Sequence, residues 1–98
     1  MIAMVWRYEV KSEARDDFEA TYGPEGAWAQ LFARAEGYCG TELLRAEDGV
    51  YLTLDRWRVR ADFDAFLAVH RADYEALDRA TEGWTTAEEE LGDYEVLD

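Results

Sequence analysis

Cysteine, proline, histidine and lysine each occur only once in this 98-residue chain, as Cys39, Pro24, His70 and Lys11. One cysteine excludes an internal disulfide, and with a single histidine the sequence has no typical zinc-ligand spacing. We therefore expect no metal site and a buried free thiol at Cys39. No apolar run reaches the roughly 20 residues that a membrane helix needs, so we expect no membrane span.

Positive charge is also scarce. The chain has 10 Lys and Arg against 23 Asp and Glu, a formal net charge of −13. Such a field repels nucleic acids and anionic membranes, and no basic stripe is present to contact phosphates. Residues 1–10 lack the basic leader of a secretory signal. We expect a cytoplasmic protein that binds neither nucleic acid nor membrane.

Large apolar side chains are plentiful. Aromatic residues make up 14% of the chain and include four tryptophans, which is far too much apolar surface for a disordered protein. A chain of this length has room for one hydrophobic core, so residues 1–98 are expected to form a single domain. Burial in an oligomer would supplement so small a core.

The first half of the chain has the pattern β-α-β-β. The apolar run at residues 2–10 predicts a strand, and Ser12 is a candidate cap for a helix that Gly23 and Pro24 interrupt. A second helical piece runs from near Pro24 to Gly37. Residues 38–46 and 50–59 are typical of strands, and Glu47, Asp48 and Gly49 predict the hairpin turn between them.

The second half has the pattern α-β. Apolar residues at helical spacing predict a long amphipathic helix over residues 61–80. Thr85, Thr86 and Glu88 or Glu89 resemble a capping box, which predicts a short acidic helix before an edge strand at residues 94–97. The order βαββαβ indicates an α+β, ferredoxin-like fold with an antiparallel sheet and its helices on one face.

The first and third strands are apolar on both faces, as Met4 and Trp6 alternate with Ala3 and Val5. Helices cover one sheet face, and the other needs a second cover. We predict a homodimer through this sheet face, which would form a dimeric α+β barrel. The alternative is a monomer with an exposed apolar patch.

The segment Tyr51–Trp57 running into Ala61–Leu67, with Asp55 two positions before Trp57, resembles the antibiotic biosynthesis monooxygenase (ABM) family of dimeric α+β barrels. That family includes cofactor-independent oxygenases of phenolic polyketides, haem-degrading enzymes and proteins of unknown activity. The resemblance implies a pocket between helices and sheet, whose candidate residues are Trp6, Tyr8, Thr53, Trp57, Phe63, Phe66, His70 and Tyr74.

The match to either enzyme branch is incomplete. Where the polyketide oxygenases carry asparagine, tyrosine and arginine beside their tryptophan, this chain has Thr53, Phe63 and Leu77. The haem-degrading branch has an asparagine on strand one and a histidine and a tryptophan on helix two, whereas this chain has Trp6 and Phe66 there. The resemblance therefore implies the fold more firmly than the chemistry.

His70 is the candidate catalytic residue. It lies on the apolar stripe of the long helix, where a neutral imidazole would be suited to take a proton from a bound phenol. A core histidine would give the same pattern. Trp57, Trp6 and Tyr8 are open to both readings too, as a wall against a planar ligand or as core.

Asp55 could orient a base or form an ion pair with Arg7 or Arg56 across the sheet, and we favour the second, structural role. The leading functional hypothesis is a cofactor-independent monooxygenase of a small phenolic or quinonoid compound. A non-catalytic dimer that binds a small apolar ligand or is only structural, and a haem-binding protein using His70, are the alternatives.

Overall fold

A computed structural model describes residues 1–97 as a four-stranded antiparallel sheet in the order β2-β3-β1-β4, with helices packed against it. The elements are β1 (Ile2–Val10), a 3₁₀ turn (Ser12–Ala14), α1 (Arg15–Tyr22), α2 (Ala27–Phe32), β2 (Tyr38–Arg45), β3 (Val50–Trp57), α3 (Arg60–Thr81), a second 3₁₀ turn (Glu82–Trp84) and β4 (Thr85–Glu95). The predicted α+β, ferredoxin-like fold class is confirmed.

The β2–β3 hairpin follows from its turn chemistry. Gly49 has φ of +73°, a left-handed conformation that glycine adopts without strain. The Val50 amide donates to the Glu47 carbonyl at 2.8 Å, and the Ala46 amide donates to the Val50 carbonyl at 2.9 Å. The predicted turn at residues 47–49 is therefore confirmed.

The register between β1 and β3 decides which side chains share a face. Met4 is opposite Asp55, and Trp6 is opposite Thr53. Since alternate residues of a strand point to the same face, Tyr8 and Trp57 share that face as well. The helices cover it, and the fully buried side chains Phe18, Tyr51, Trp57 and Phe66 lie in this core.

The opposite sheet face has an apolar patch, beside the Arg7–Glu9 and Arg56–Glu42 ion pairs, that no helix of residues 1–97 covers. It includes Val5, Leu52 and Leu54, each half-buried, and Leu44, which is exposed. Tyr94, on the edge strand opposite Ala3, is 53% exposed. This outer sheet face is the surface that the sequence assigned to a partner.

Two predicted helix starts were wrong. Ser12 lies within the 3₁₀ turn, where its hydroxyl bonds to the Glu13 carboxylate at 3.4 Å and caps no helix. Pro24 lies in the turn between α1 and α2, and α2 begins at Ala27. The turn before α2 is tight, because the Gly26 amide donates to the Gly23 carbonyl at 3.0 Å.

The predicted acidic helix after Thr85 was also wrong. Residues Thr85–Glu95 form β4, the edge strand beside β1, so the strand predicted at 94–97 begins nine residues earlier and ends at Glu95. Pairing with β1 brings Glu88 opposite Tyr8 and Glu89 opposite Arg7. The ladder of backbone hydrogen bonds with β1 outweighs the helix preference of three glutamates, since tertiary context overrides local propensity.

Cys39 is exposed, so the predicted buried thiol was wrong. It lies on the edge strand β2, where the pairing with β3 shifts register between Tyr38 and Gly40. Its thiol donates a hydrogen bond to the Gly37 carbonyl, at 3.3 Å. Among the helices of residues 1–97, none combines the length and the apolar composition needed to cross a membrane.

Candidate functional site

A cleft lies between the inner sheet face and the helices. It contains about 580 Å³ of space not filled by protein atoms, its open mouth included. The sheet contributes Met4, Trp6, Tyr8, Thr53, Asp55 and Glu88, and the helices contribute Tyr22, Trp28, Phe32, Phe63, Tyr74 and Asp78. The cleft is thus an aromatic cavity with one carboxyl group, Asp55, on the central strand β3.

The cleft brings together five of the residues that the sequence nominated. They are Trp6, Tyr8, Thr53, Phe63 and Tyr74. Trp57 and Phe66 are not in the lining: their exposed fractions are 0% and 2%, and their rings pack against each other with centroids 5.8 Å apart. Both side chains therefore belong to the core behind the cleft.

His70 is not in the lining either. Its side chain is half-buried, with the ring centroid 5.3 Å from that of Phe66. Its backbone (φ −115°, ψ 21°) departs from helical geometry and bends α3 at this residue. His70 thus packs beside a core ring and does not line the cleft. Its assignment as a catalytic base stays a prediction.

Asp55 is the carboxyl group that the central strand β3 contributes to the cleft. The Thr41 hydroxyl donates to Asp55 Oδ1 at 2.7 Å, and the Tyr38 hydroxyl lies 2.5 Å from Thr41 Oγ1. Since Thr41 has one hydroxyl proton and gives it to Asp55, Tyr38 is the donor in the second bond. The three side chains form a hydrogen-bonded chain that ends at the carboxylate.

Burial raises the pKa of Asp55 to about 6, and the hydrogen bond from Thr41 partly opposes that shift. Such a carboxylate is ionised at neutral pH but is more basic than an ordinary aspartate. A pKa near the working pH is what a general base requires. Asp55 is therefore chemically suited to accept a proton from a molecule in the cleft.

The expected ion pair of Asp55 with Arg7 or Arg56 was wrong. Arg7 pairs with Glu9 at 2.9 Å, and Arg56 pairs with Glu42. Strand alternation contains the signal that could have located Asp55: it is two residues from both Thr53 and Trp57, so all three share the inner face. Burying a carboxylate on the covered face of a sheet costs free energy, so a residue of this type at that position is a candidate for a functional role.

Two buried polar atoms in the lining form no close hydrogen bond within residues 1–97, although each is near enough to a tyrosine hydroxyl, of Tyr8 or of Tyr22, to oppose in part the rise in pKa that burial causes there. They are the hydroxyl of Thr53, which is 3% exposed, and the indole N–H of Trp28, which is 8% exposed. Buried polar groups in proteins are almost always bonded to protein, water or a ligand. These two atoms are therefore positions where a bound molecule would form hydrogen bonds.

The tyrosines of the lining stay protonated at neutral pH. Burial raises the pKa of Tyr22 to about 12 and also raises the pKa of Tyr8 and of Tyr74. The Tyr22 hydroxyl is occupied, since it donates to Thr81 at 3.0 Å. The phenols of Tyr8 and Tyr74 are thus neutral groups beside the Asp55 carboxylate.

The open rim of the cleft is acidic. Asp78 on α3 and Glu88 on β4 belong to the lining and are exposed, while the aromatic rings around them are largely buried. The lining includes no Lys, Arg or His. Within the part of the chain that the structure describes, no three Asp, Glu, His or Cys side chains are grouped so as to hold a metal ion.

Several solved structures share this architecture. A variant of SnoaB, a cofactor-independent oxygenase from Streptomyces nogalater, superposes with a TM-score of 0.78 at 24% identity, over 99% of this chain and 93% of that one. Rv0793 from Mycobacterium tuberculosis gives 0.67 at 20% identity, over 99% and 95%. A MhuD variant with two manganese protoporphyrin IX molecules per active site gives 0.65 at 23%, over 100% and 97%.

These likenesses establish the fold. Because each sequence identity is below 25%, they establish the fold alone. No curated protein matches the chain. The family model described as "Antibiotic biosynthesis monooxygenase" matches residues 1–70, which include β1, β3 and the first half of α3. The chain therefore belongs to the antibiotic biosynthesis monooxygenase family.

Proposed function

We propose that the protein oxidises a small phenolic compound with molecular oxygen in the aromatic cleft, without a cofactor, and that Asp55 is the base. The observation that carries the proposal is a carboxylate whose pKa is raised to about 6 on the wall of an aromatic cavity. SnoaB, which shares the fold, is a cofactor-independent oxygenase. Family membership supports oxygenase chemistry, and the cleft supports an aromatic substrate.

The reaction begins with proton transfer. The Asp55 carboxylate accepts the hydroxyl proton of the bound phenol, and the phenolate is electron-rich enough to react with oxygen. The Thr53 hydroxyl and the Trp28 indole N–H, which form no close hydrogen bond within residues 1–97, are donors for the charge that develops on oxygen. The largely buried rings around them exclude water, which strengthens these hydrogen bonds.

The atoms balance without a reductant. With 1-naphthol as the example, one atom of O₂ bonds to the ring carbon para to the hydroxyl, and the O–O bond breaks. The second oxygen atom leaves as water with the hydroxyl hydrogen and the hydrogen of that carbon. The ring loses four electrons and becomes a quinone, and O₂ gains all four.

Oxygen uptake tests the proposal. Hydroxynaphthalenes are incubated with the protein, and oxygen consumption and incorporation of isotopically labelled oxygen into the quinone are measured. Asp55→Asn should reduce turnover by about a hundredfold or more, as loss of a general base does. The matched control Glu75→Gln, which neutralises an exposed carboxylate outside the cleft, should keep full turnover.

Two results would contradict the proposal. One is the lack of protein-dependent oxygen uptake across the panel. The other is an Asp55→Asn variant as active as the unmodified protein. If the phenols bind at the cleft and are not turned over, the non-catalytic alternative, a protein that binds a small apolar ligand, is supported instead.

We also propose that the protein is a homodimer through the outer sheet face, so that two sheets form an α+β barrel. The half-buried Val5, Leu52 and Leu54 of that face support this proposal, because covering them removes apolar area from water. Leu54→Lys should shift the protein to a monomer in analytical ultracentrifugation, whereas Val69→Lys, on an exposed position of α3, should not. A monomeric unmodified protein would refute the dimer.

A haem does not fit the cleft. His70 is not in the lining, so the chain's single histidine offers no iron ligand there. Haem propionates are anionic, and the lining contains three carboxylates and no basic side chain. The haem-binding alternative is thus not favoured, although the fold is shared with MhuD.

A further inference from the structure

We propose that the cleft selects aromatic ligands that carry a protonated amine over the same ring system carrying a neutral or an anionic group. This inference rests on the proposed function, because it names the substrate class of the same cleft. The phenol hydroxyl would lie beside Asp55 and Thr53, and the amine would lie at the rim beside Asp78 and Glu88.

The charges of the lining are all of one sign. Asp55, Asp78 and Glu88 are its ionisable carboxyl groups, and no basic side chain belongs to the lining. None of the three takes part in an ion pair within residues 1–97, although carboxylates elsewhere do, such as Asp73 with Arg34 at 2.7 Å. A cation that enters the cleft would be their first counter-ion.

Arg60 lies next to the lining, with its guanidinium carbon 5.3 Å from the centroid of the Phe63 ring. It bonds to both Asp64 and Asp93, at 3.2 and 2.7 Å. Within residues 1–97, no Lys, Arg or His forms an ion pair with Asp78 or Glu88. The rim potential is therefore negative, which favours cationic ligands and disfavours carboxylates and phosphates.

The aromatic walls favour a cation for a second reason. The ring face of a tryptophan or tyrosine is negative, so an ammonium group over it is attracted. Trp28 and Tyr74 meet edge to face, with centroids 5.1 Å apart, and Trp6 and Tyr8 stack with centroids 6.3 Å apart. Aromatic walls combined with carboxylates are a common arrangement for binding organic ammonium groups.

A second observation, independent of charge, supports ligand binding in this cleft. The Thr53 hydroxyl and the Trp28 indole N–H are both in the lining, are more than nine-tenths buried, and form no close hydrogen bond within the described chain, with Tyr8 and Tyr22 as their nearest hydroxyl neighbours. They are suited to a hydroxyl or carbonyl oxygen of the ligand and are not suited to an ammonium. The cleft thus has two separate groups of polar atoms. Thr53 and Trp28 are neutral hydrogen-bond donors, and Asp78 and Glu88 are carboxylates at the rim.

The test compares three probes that share a phenol and differ in their terminal group: tyramine, 4-ethylphenol and 3-(4-hydroxyphenyl)propionate. Binding is measured at about pH 7 and low ionic strength by proton–nitrogen NMR. A shift of the Trp28 indole N–H signal shows that the probe binds in the cleft. Tyramine should bind about tenfold more tightly than 4-ethylphenol, and the propionate should bind more weakly than either.

A double variant, Asp78→Asn with Glu88→Gln, should remove most of tyramine's advantage while the affinity for 4-ethylphenol changes less than about twofold. The control, Glu36→Gln with Glu75→Gln, neutralises two exposed carboxylates outside the lining and has the same net charge as the double variant. It should keep the advantage. This pair separates the rim from the general field of an acidic protein.

Three outcomes overturn the inference. Equal affinity for tyramine and 4-ethylphenol would do so while leaving phenol binding, and hence the proposed function, intact. An amine advantage that the control variant loses as fully as the rim variant would assign it to overall charge. Binding of none of the three probes at the Trp28 indole N–H would contradict both the inference and the proposed function.

Discussion

The hydroxyl of Thr41 on β2 donates a hydrogen bond of 2.7 Å to the carboxylate of Asp55, its cross-strand neighbour on β3. Thr41 is 8% exposed, so this bond is shielded from water. The bond has two effects: it fixes the orientation of the carboxylate, and it favours the ionised form, which burial disfavours.

Thr41→Val should raise the pKa of Asp55 above about 6, because the substitution removes the hydrogen bond that lowers it. Thr41→Ser keeps a hydroxyl and should restore the original value. The measurement is a pH titration of the Asp55 carboxyl carbon by NMR in the three proteins. An unchanged titration in Thr41→Val would show that the bond has no influence on the acidity of Asp55.

Asp55 should lower the stability of the fold at neutral pH. Folding raises its pKa from 3.8 to about 6, so the folded chain holds the proton more tightly. Its contribution is favourable below pH 4 and is lost as the pH rises towards 6, by at most about 3 kcal/mol. We therefore expect Asp55→Asn to be stabilising at pH 7 relative to the unmodified protein.

Urea unfolding of both proteins at several pH values checks this sign. The difference in unfolding free energy, Asn variant minus unmodified protein, should increase between about pH 4 and pH 6 and stay constant above that. Other carboxylates cancel in this difference. A difference that does not vary with pH would mean that burial does not perturb Asp55.

Trp57 should matter for stability and not for binding. It is fully buried behind the cleft and packs on Phe32 and Phe66, with centroids 5.7 and 5.8 Å away. Trp57→Phe should lower the unfolding free energy by about 1–3 kcal/mol through lost packing. The dissociation constant of a phenol should hardly change, as measured by NMR titration.

Trp6→Phe is the matched control for that substitution. Trp6 lines the cleft and is half-exposed. The exchange should weaken phenol binding and have little effect on urea unfolding. If Trp57→Phe instead weakened binding more than Trp6→Phe, the sequence's assignment of Trp57 to the substrate would be favoured.

Local sequence patterns predicted the fold well because, in most helices, strands and turns, the local residue preferences match the structure that forms. The hairpin at Gly49 and the amphipathic α3 are examples, each with turn or helix chemistry that matches its place. The failure at β4 has the opposite origin. Its glutamates favour a helix, and only the unpaired edge of β1, a distant partner in sequence, makes a strand of them.

The sequence predicted which residues lie on the inner sheet face. It did not predict which of them line the cleft and which lie in the core. Alternation identifies which strand residues share the inner face, and five nominated side chains do line the cleft. Alternation does not separate a wall from the core behind it, which is why Trp57 and Phe66 were included. Asp55 was set aside because a nearby arginine offered a partner, yet Arg56 points to the other face and pairs with Glu42.

The pH dependence of kcat/KM for the hydroxynaphthalene that is oxidised fastest tests the identity of the base. The unmodified protein should lose activity as the pH falls through about 6, because Asp55 becomes protonated. Since histidines in general titrate in the same range, only variants distinguish the two candidates. We predict that His70→Gln keeps this acidic limb and its activity, whereas Asp55→Asn loses both. The reverse pattern, with activity lost in His70→Gln and kept in Asp55→Asn, would contradict the assignment of the base to Asp55.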